Sequence, residues 1–327
     1  MLQQSVAPSP QPVRLIGIAR LAAESNLLAE KRRVEYRTLP TRKWLNRCQS
    51  DRVPFNWTIN PYRGCEFGCK YCYARYTHDF MERRDPAAFE TEIYAKDWDP
   101  IDFRQELKSV KHGQVIALGT ATDPYQPAER KFGRTRQLLE ALRPLTGCSI
   151  FTTTKSNLVS RDKDLFAALG ERNEVRVTVT VTTTNRSLAR LTEPFAPSPE
   201  LRLNAVAELA SAGVAVGVIA SPVLPLITDS EENLLAVAKA AKAAGASQFG
   251  AHVVFLQPSA QRVFFPFLEE KFPKHLRRYE KSFAEGAYLR GSYPERIQSL
   301  VRDIRLQVGI PGRDIDRQPE PQLSLFR

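Results

Sequence analysis

Residues 60–75 read N-P-Y-R-G-C-E-F-G-C-K-Y-C-Y-A-R, and three of the chain's five cysteines, Cys65, Cys69 and Cys72, fall within eight residues at the spacing C-x-x-x-C-x-x-C. No histidine or fourth cysteine follows at a distance that would close a tetrahedral zinc site. Three thiolates can hold three irons of a 4Fe–4S cluster and leave the fourth open to an external molecule. Gly64 and Gly68 allow the backbone to turn tightly around an inorganic cube and bring its N–H groups toward the sulfides. Arg63, Lys70 and Arg75 supply positive charge against the thiolates. Two other readings compete, a set of buried structural cysteines and a zinc knuckle. Cysteine is among the most buried residue types, but three of them in a Gly- and Tyr-rich loop do not read as core packing.

With Tyr71 as the aromatic residue before the last cysteine, this run resembles the signature of the radical S-adenosylmethionine (SAM) superfamily. The resemblance implies two cofactors, a 4Fe–4S cluster on Cys65, Cys69 and Cys72 and S-adenosyl-L-methionine chelated by the open iron through its amino and carboxylate groups. It also implies the reaction: an electron from the cluster cleaves the sulfonium, and the resulting 5′-deoxyadenosyl radical abstracts hydrogen from a substrate. The fuller run is similar, more narrowly, to the branch related to spore photoproduct lyase.

Such a loop needs a scaffold, and the hydrophobic pattern supplies one. Apolar or alternating runs predict strands over residues 55–59, 114–119, 148–154, 175–181, 214–221 and 248–256; the fourth, V-R-V-T-V-T-V, is β-branched at every second position or more often. Helical patterns lie between them, over residues 134–142, 162–169, 201–212 and 231–244. Strands alternating with helices imply an α/β fold with a parallel sheet and right-handed crossovers. The resemblance, which covers about residues 55–260, sharpens this to a partial (β/α)6 TIM-like barrel. A helix is expected over residues 20–31, another over 74–84, an extended segment over 90–96, and further helices over 100–110, 267–283 and 293–308.

In such barrels the chemistry collects at the carboxyl ends of the strands, where this sequence places polar residues. Gly119, Thr120, Thr122 and Asp123 follow the second strand, Lys155 and Ser156 the third, Thr182 and Asn185 the fourth, and Ser221 the fifth. By resemblance, residues 119–123 occupy the stretch that holds the methionyl amine, with Thr122 and Asp123 similar to a Ser-Asp pair of the lyase branch. Lys155 is similar to the lysine of its T-K-S turn, which pairs with the methionyl carboxylate, and Thr182 and Asn185 lie where ribose contacts are expected. Ordinary turn chemistry is the competing explanation. Glu193 and Arg202 are expected to pair and fix a loop over the site. Tyr71 and Tyr73 match the tyrosines flanking the last cluster cysteine, and Tyr73 is a candidate radical relay. One departure is plain: the lyase carries a hydrogen-donating cysteine near the end of its second strand, where this chain has Gly119, Thr120 and Ala121. Cys148, which opens the third strand, is expected in the core. Of the histidines, His78 is a candidate support for the cysteine loop, and His252 could point into the barrel.

The chain has 327 residues, 43% hydrophobic, and carries a net charge of +11, of which residues 1–64 hold a disproportionate part, with eleven Lys/Arg against four Asp/Glu. A basic face suggests nucleic acid, DNA favoured, as partner. The predicted organisation is a disordered leader (1–13), a basic N-terminal arm (14–54), the barrel (55–260), a helical cover (261–316) and an exposed tail (317–327). In the tail, Gln322, Leu323, Ser324, Leu325 and Phe326 resemble the pentapeptide with which bacterial polymerases and repair proteins dock on the replication sliding clamp; a tail folded back on its own domain is the alternative. With no apolar run long enough for a membrane span and no signal-like start, a cytoplasmic location and no membrane partner are expected. Reduction of the cluster implies an electron donor such as flavodoxin or ferredoxin. The expected function is thus a radical SAM enzyme acting on nucleic acid, with repair of a DNA lesion as a candidate role; the alternatives are the same chemistry on a protein or metabolite, and a non-catalytic, clamp-recruited Fe–S protein.

Overall fold

The computed structural model describes residues 15–310, apart from 32, 42 and 50–52. The leader at 1–13 and the whole tail from 317, with Gln322 to Phe326, lie outside the described residues.

The strands in chain order are β1 (Leu27–Lys31), β2 (Val34–Leu39), β3 (Asn46–Arg47), β4 (Trp57–Ile59), β5 (Tyr62–Arg63), β6 (Glu92–Lys96), β7 (Val115–Leu118), β8 (Ser149–Thr154), β9 (Glu174–Thr180), β10 (Val216–Val223) and β11 (Gln248–Val253). The larger sheet has the order β11-β10-β9-β8-β7-β4-β3. From β4 to β11 its pairings are all parallel, and β3 adds an antiparallel edge to β4. The six parallel strands are those expected from the hydrophobic pattern, in sequential spatial order, and the sheet does not close, as a partial barrel requires. Each of the five crossovers passes over a helix, Pro100–Leu107, Arg134–Leu142, Lys163–Gly170, Pro199–Ser211 and Glu231–Ala243 in turn, and strand and helix residues such as Ile59, Leu118, Ile150, Val177, Val218, Leu139, Phe166, Val206 and Val237 share one apolar core.

Because parallel strands all run the same way, one edge of this sheet collects the residues that follow β4, β7, β8, β9 and β10. The cysteine run follows β4 directly. It then re-enters a second sheet of order β1-β2-β6-β5, in which β2 runs parallel to β6 and β5 antiparallel to it. Leu27–Lys31 and Val34–Leu39 of the basic N-terminal segment are therefore strands of this sheet.

Several local expectations are corrected. The helix expected over 20–31 is shorter and earlier, Gly17–Ala23, and Leu27–Lys31 is a strand: the Leu, Ala, Glu and Lys there favour a helix in isolation, but pairing with β2 overrides that preference. The helix expected over 74–84 is a 3₁₀ turn, Tyr73–Arg75, followed by Tyr76–Asp79 only, and Glu82 has φ +56°. The long helix expected over 267–283 is two, Pro258–Lys271 and Pro273–Phe283, the second opening on Pro273, whose fixed φ suits a first helical position. His252 is exposed on β11, on the face opposite Phe249, Ala251 and Val253, which pack on the core. Cys148 is buried beside the start of β8, as expected of a core residue.

Candidate active site

The cysteine loop is built into the protein from both sides. Cys65 and Cys69 are buried and Cys72 half-buried. All five cysteines are free thiols. Cys65, Phe67, Cys69 and Tyr71 belong to a second apolar cluster with Phe89, Leu224, Leu256, Phe264, Phe267 and Tyr279, so the helices after the barrel pack directly on the loop. The Cys65 N–H donates to the Phe89 carbonyl at 2.9 Å.

Two glycines make the turn. Gly64 has φ +78° and Gly68 φ +63°. A Cβ on Gly64 would lie 2.8 Å from the Glu92 carbonyl oxygen and 2.9 Å from that of Phe89, both backbone atoms that cannot step aside. Gly64→Ala is therefore expected to cost clearly more than the ~1–2 kcal/mol of a left-handed alanine. Gly113, with φ +79° and open space around it, isolates the backbone term, so urea denaturation of the two variants should show Gly64→Ala falling well below Gly113→Ala.

Side chains from the next loop hold the same turn. Thr122 Oγ1 donates to the Gly64 carbonyl at 2.6 Å, and Gln126 Nε2 donates to that carbonyl at 2.8 Å and to Thr122 Oγ1 at 2.9 Å. Gln126 Oε1 accepts from the Glu66 N–H at 3.1 Å. Asn60 Oδ1 accepts from the Ala121 N–H at 2.7 Å, and Asn60 Nδ2 donates to Thr120 Oγ1 at 3.2 Å. Asn60 and Gln126 thus brace the loop, a role the sequence reading did not assign them. Asn60 stood in plain view before a proline, a common turn signal, whereas Gln126 carries no local signal for a partner 62 residues away.

Asp123 ties β7 to β8. Its Oδ1 accepts from Thr154 Oγ1 at 2.6 Å and from the Tyr125 N–H at 2.9 Å, and its Oδ2 accepts from the Lys155 N–H at 2.7 Å. Burial raises its pKa despite these bonds. The carboxylate is thus engaged in setting where Lys155 stands. Gly119, φ +84°, lets Pro124 approach so closely that a Cβ would fall 2.5 Å from its Cδ. Ser156 and Asn185 cap the segments that follow, accepting from the Leu158 N–H at 3.2 Å and the Leu188 N–H at 3.0 Å. Ser221 is half-buried on β10.

A second layer covers the loop from the β9 side. Glu193 and Arg202 form the expected pair at 2.5 Å, both almost completely buried. Glu193 Oε1 also accepts from the Tyr71 hydroxyl and, at 3.2 Å, from Thr182 Oγ1. Arg202 donates to the Thr180 carbonyl at 3.1 Å and to that of Pro197 at 2.8 Å. The covering backbone is stitched to the loop by Lys70 N–H to Thr192 O at 2.9 Å and Phe195 N–H to Phe67 O at 3.2 Å. The Lys155 ammonium stands over the Tyr71 ring, 5.5 Å from its centroid. Burial opposes its charge, but the Cys69 sulfur and the Glu193 carboxylate outweigh that and its pKa ends above the ordinary value. Tyr73 donates its hydroxyl to the Thr120 carbonyl, and its ring lies 4.9 Å from that of Phe255 just beyond β11.

The electrostatics of the thiols suit a metal centre. Burial pushes Cys69 up to about 12, with Lys155 pulling the other way, and raises Cys72, where Arg75 opposes it. Cys65 is raised by burial and by the Asp123 carboxylate. Without metal all three thiols stay protonated near neutrality, and loading the site must expel their protons. Among the described residues no three His, Cys, Asp or Glu side chains are gathered closely enough to hold a single ion; a cubane takes its thiolates on separate irons. Arg75, buried, adds a donor to the Cys69 carbonyl at 3.1 Å and is paired with Glu90 at 2.6 Å. His78 is buried too, its Nε2 3.0 Å from the Glu92 carbonyl and its ring against Phe89, and burial pushes its pKa down to about 4.

A thiol triad at the carboxyl ends of six parallel strands, in a barrel left open, defines a radical SAM protein. The chain belongs to that superfamily: the Radical SAM superfamily model matches residues 59–238, more than half of its length. The family's cofactors, a 4Fe–4S cluster and SAM, are accordingly those of this chain, and the buried, glycine-turned thiols fit the cluster. Among curated relatives, an uncharacterised protein of Mycobacterium tuberculosis is 32% identical over 277 residues, covering 84% of this chain and 80% of its own. One of Methanocaldococcus jannaschii is 29% identical over 222 residues, 67% of this chain and 77% of its own. Among solved structures, a spore photoproduct lyase variant with dinucleoside spore photoproduct superposes with TM-score 0.64 at 16% identity, over 85% of this chain and 80% of that one. Another variant, with bound AdoMet and the same dinucleoside, gives 0.63 at 15% identity over 94% and 86%. These likenesses concern the fold. Among the described residues no helix is long and apolar enough to cross a membrane.

Proposed function

We propose that this radical SAM enzyme abstracts hydrogen from nucleic acid, DNA foremost, with Cys65, Cys69 and Cys72 as the cluster ligands. The observation that carries the reading is the junction of the cysteine loop with the β7, β8 and β9 loops, in a fold shared with a lyase solved with AdoMet and a dinucleoside lesion. Bound there, SAM supplies a 5′-deoxyadenosyl radical on receipt of one electron. Lys155, the buried-side cation facing Cys69, is the residue to meet a methionyl carboxylate. Thr122, Asp123, Gly119 and Ser156 keep that geometry by fixing the loops, and Thr120, Thr182, Asn185 and Ser221 line the strand ends where a ribose would lie. Tyr71 is held by Glu193, and Tyr73, held on Thr120, is placed to pass a hydrogen atom or radical. The net charge of +11 supports a polyanionic substrate. Since this chain has no cysteine among residues 119–121, the reading is a radical reaction on a nucleic-acid lesion without the lyase's own hydrogen donor. The tail motif, Gln322, Leu323, Ser324, Leu325 and Phe326, would recruit the enzyme to a sliding clamp. The test is anaerobic reconstitution, then assay of 5′-deoxyadenosine with ultraviolet-irradiated and intact DNA. Formation stimulated by irradiated DNA is expected. A loaded cluster that cleaves SAM but is indifferent to every DNA would overturn the substrate assignment.

A further inference from the structure

Phe195 is 65% exposed, yet it is not on a free loop tip. Its N–H is bonded to the Phe67 carbonyl, and its ring would lie 3.0 Å from a Cβ placed on Gly68. Gly68 is the residue immediately before Cys69, so an uncovered aromatic ring rests on the backbone between two of the three thiols. Leu191, 40% exposed, is four residues away at the end of the helix Arg186–Thr192. The charges around this apolar pair are mostly positive. Arg186 and Arg190 are exposed on that helix, and half-buried Lys70, anchored to the Thr192 carbonyl, lies near the Glu270 and Lys271 pair. Of the carboxylates near the loop, Glu193 and Glu90 are paired with Arg202 and Arg75, and Glu66 and Asp123 accept from the Tyr36 hydroxyl and from Thr154 and the Lys155 N–H.

We infer that Phe195 and Leu191, rimmed by Lys70, Arg186 and Arg190, form the docking surface for a small acidic protein that carries one electron to the cluster. An exposed aromatic with a charged rim is the composition of an interface anchor. Opposite charge on the partner steers and orients it. The location selects an electron carrier among acidic partners, since the ring touches the cysteine loop itself. One electron leaves the carrier, which is oxidised, and enters the cluster, which is reduced; no bond is made or broken in this step. The inference rests on the cluster assignment above.

The test uses the full chain, reconstituted anaerobically, with flavodoxin hydroquinone as the protein donor and dithionite as a donor that needs no docking. Phe195→Glu and Arg190→Glu alter exposed side chains and leave the thiols alone. Each is expected to slow bleaching of the cluster by flavodoxin at least about tenfold, the scale of one interface anchor, and to weaken flavodoxin binding, with dithionite bleaching unchanged. Added salt should slow the flavodoxin reaction of the unsubstituted chain. Wild-type rates with flavodoxin in both variants would overturn the inference, as would equal slowing with dithionite, which would make the ring a shield of the loop. Loss of DNA binding with flavodoxin reduction intact would assign the patch to substrate instead. A chain that takes up no cluster fails at the earlier assignment, which absorbance before reduction reveals.

Discussion

Cys69→Ala is expected to give a folded protein that holds no stable 4Fe–4S cluster and releases no 5′-deoxyadenosine above background. The thiol is one of three, and with two protein ligands left a second iron corner is open, so the centre loses the anchoring that separates a bound cluster from free iron and sulfide. The fold tolerates the change because a buried thiol behaves as a small apolar group. Its removal leaves a void of only one sulfur, at a cost of about 1 kcal/mol. Cys65→Ala and Cys72→Ala should match it. Cys48→Ala and Cys148→Ala, one half-buried and one buried at the start of β8, away from the loop, should retain full iron and sulfide. Metal and sulfide analysis with visible absorbance, beside urea denaturation of the metal-free chains, separates loss of cluster from loss of fold. A Cys69→Ala chain that still cleaves SAM would end the ligand assignment.

The same triad shows how much of the molecule was readable in its residues. The spacing C-x-x-x-C-x-x-C is local, and so are the strands from β7 to β11, because alternating or continuous β-branched residues such as Val175, Val177 and Val179 report their burial in the sequence itself. What was hidden depends on partners far along the chain. β1 and β2 are short, with Leu27 and Leu28 exposed and a helix-favouring composition in β1, and only pairing of β2 with β6, more than fifty residues later, makes them a sheet. The roles of Thr122 and Asp123 were hidden for a like reason. Both are expected near SAM, and what the residues alone could not show is that their side chains also bond Gly64, Thr154 and the Lys155 backbone. Residue type announced that polar chemistry collects at these strand ends; it could not say which polar groups face the ligand and which hold the frame. The Glu193 and Arg202 pair was legible through resemblance, whereas its attachment to Tyr71 required the fold.

That pair carries the other large effect. Arg202→Met should destabilise the chain by roughly 3–5 kcal/mol, because it leaves the Glu193 carboxylate buried against Tyr71 and Thr182 with its guanidinium partner gone. Burial alone would raise the Glu193 pKa; Arg202 first and Lys155 second reverse this and hold it below the usual carboxylate value. Without Arg202 the group must either take up a proton or draw Lys155 toward itself, and Lys155 is the cation proposed to meet the methionyl carboxylate. Glu193→Gln in the Arg202→Met background removes the stranded charge while keeping an acceptor for the Tyr71 hydroxyl. The double variant should therefore be more stable than Arg202→Met alone, a non-additivity expected only of groups in direct contact. For a chain of this length the single change corresponds to a fall in Tm of about 5 °C, with part of it recovered in the double variant. Because Thr192 and Phe195 bond the backbone of the cysteine loop on either side of the Glu193 segment, Arg202→Met should also take up less iron at equal sulfide. Equal stability of the single and double variants would mean that the pair is solvated in the working protein and does not brace the loop.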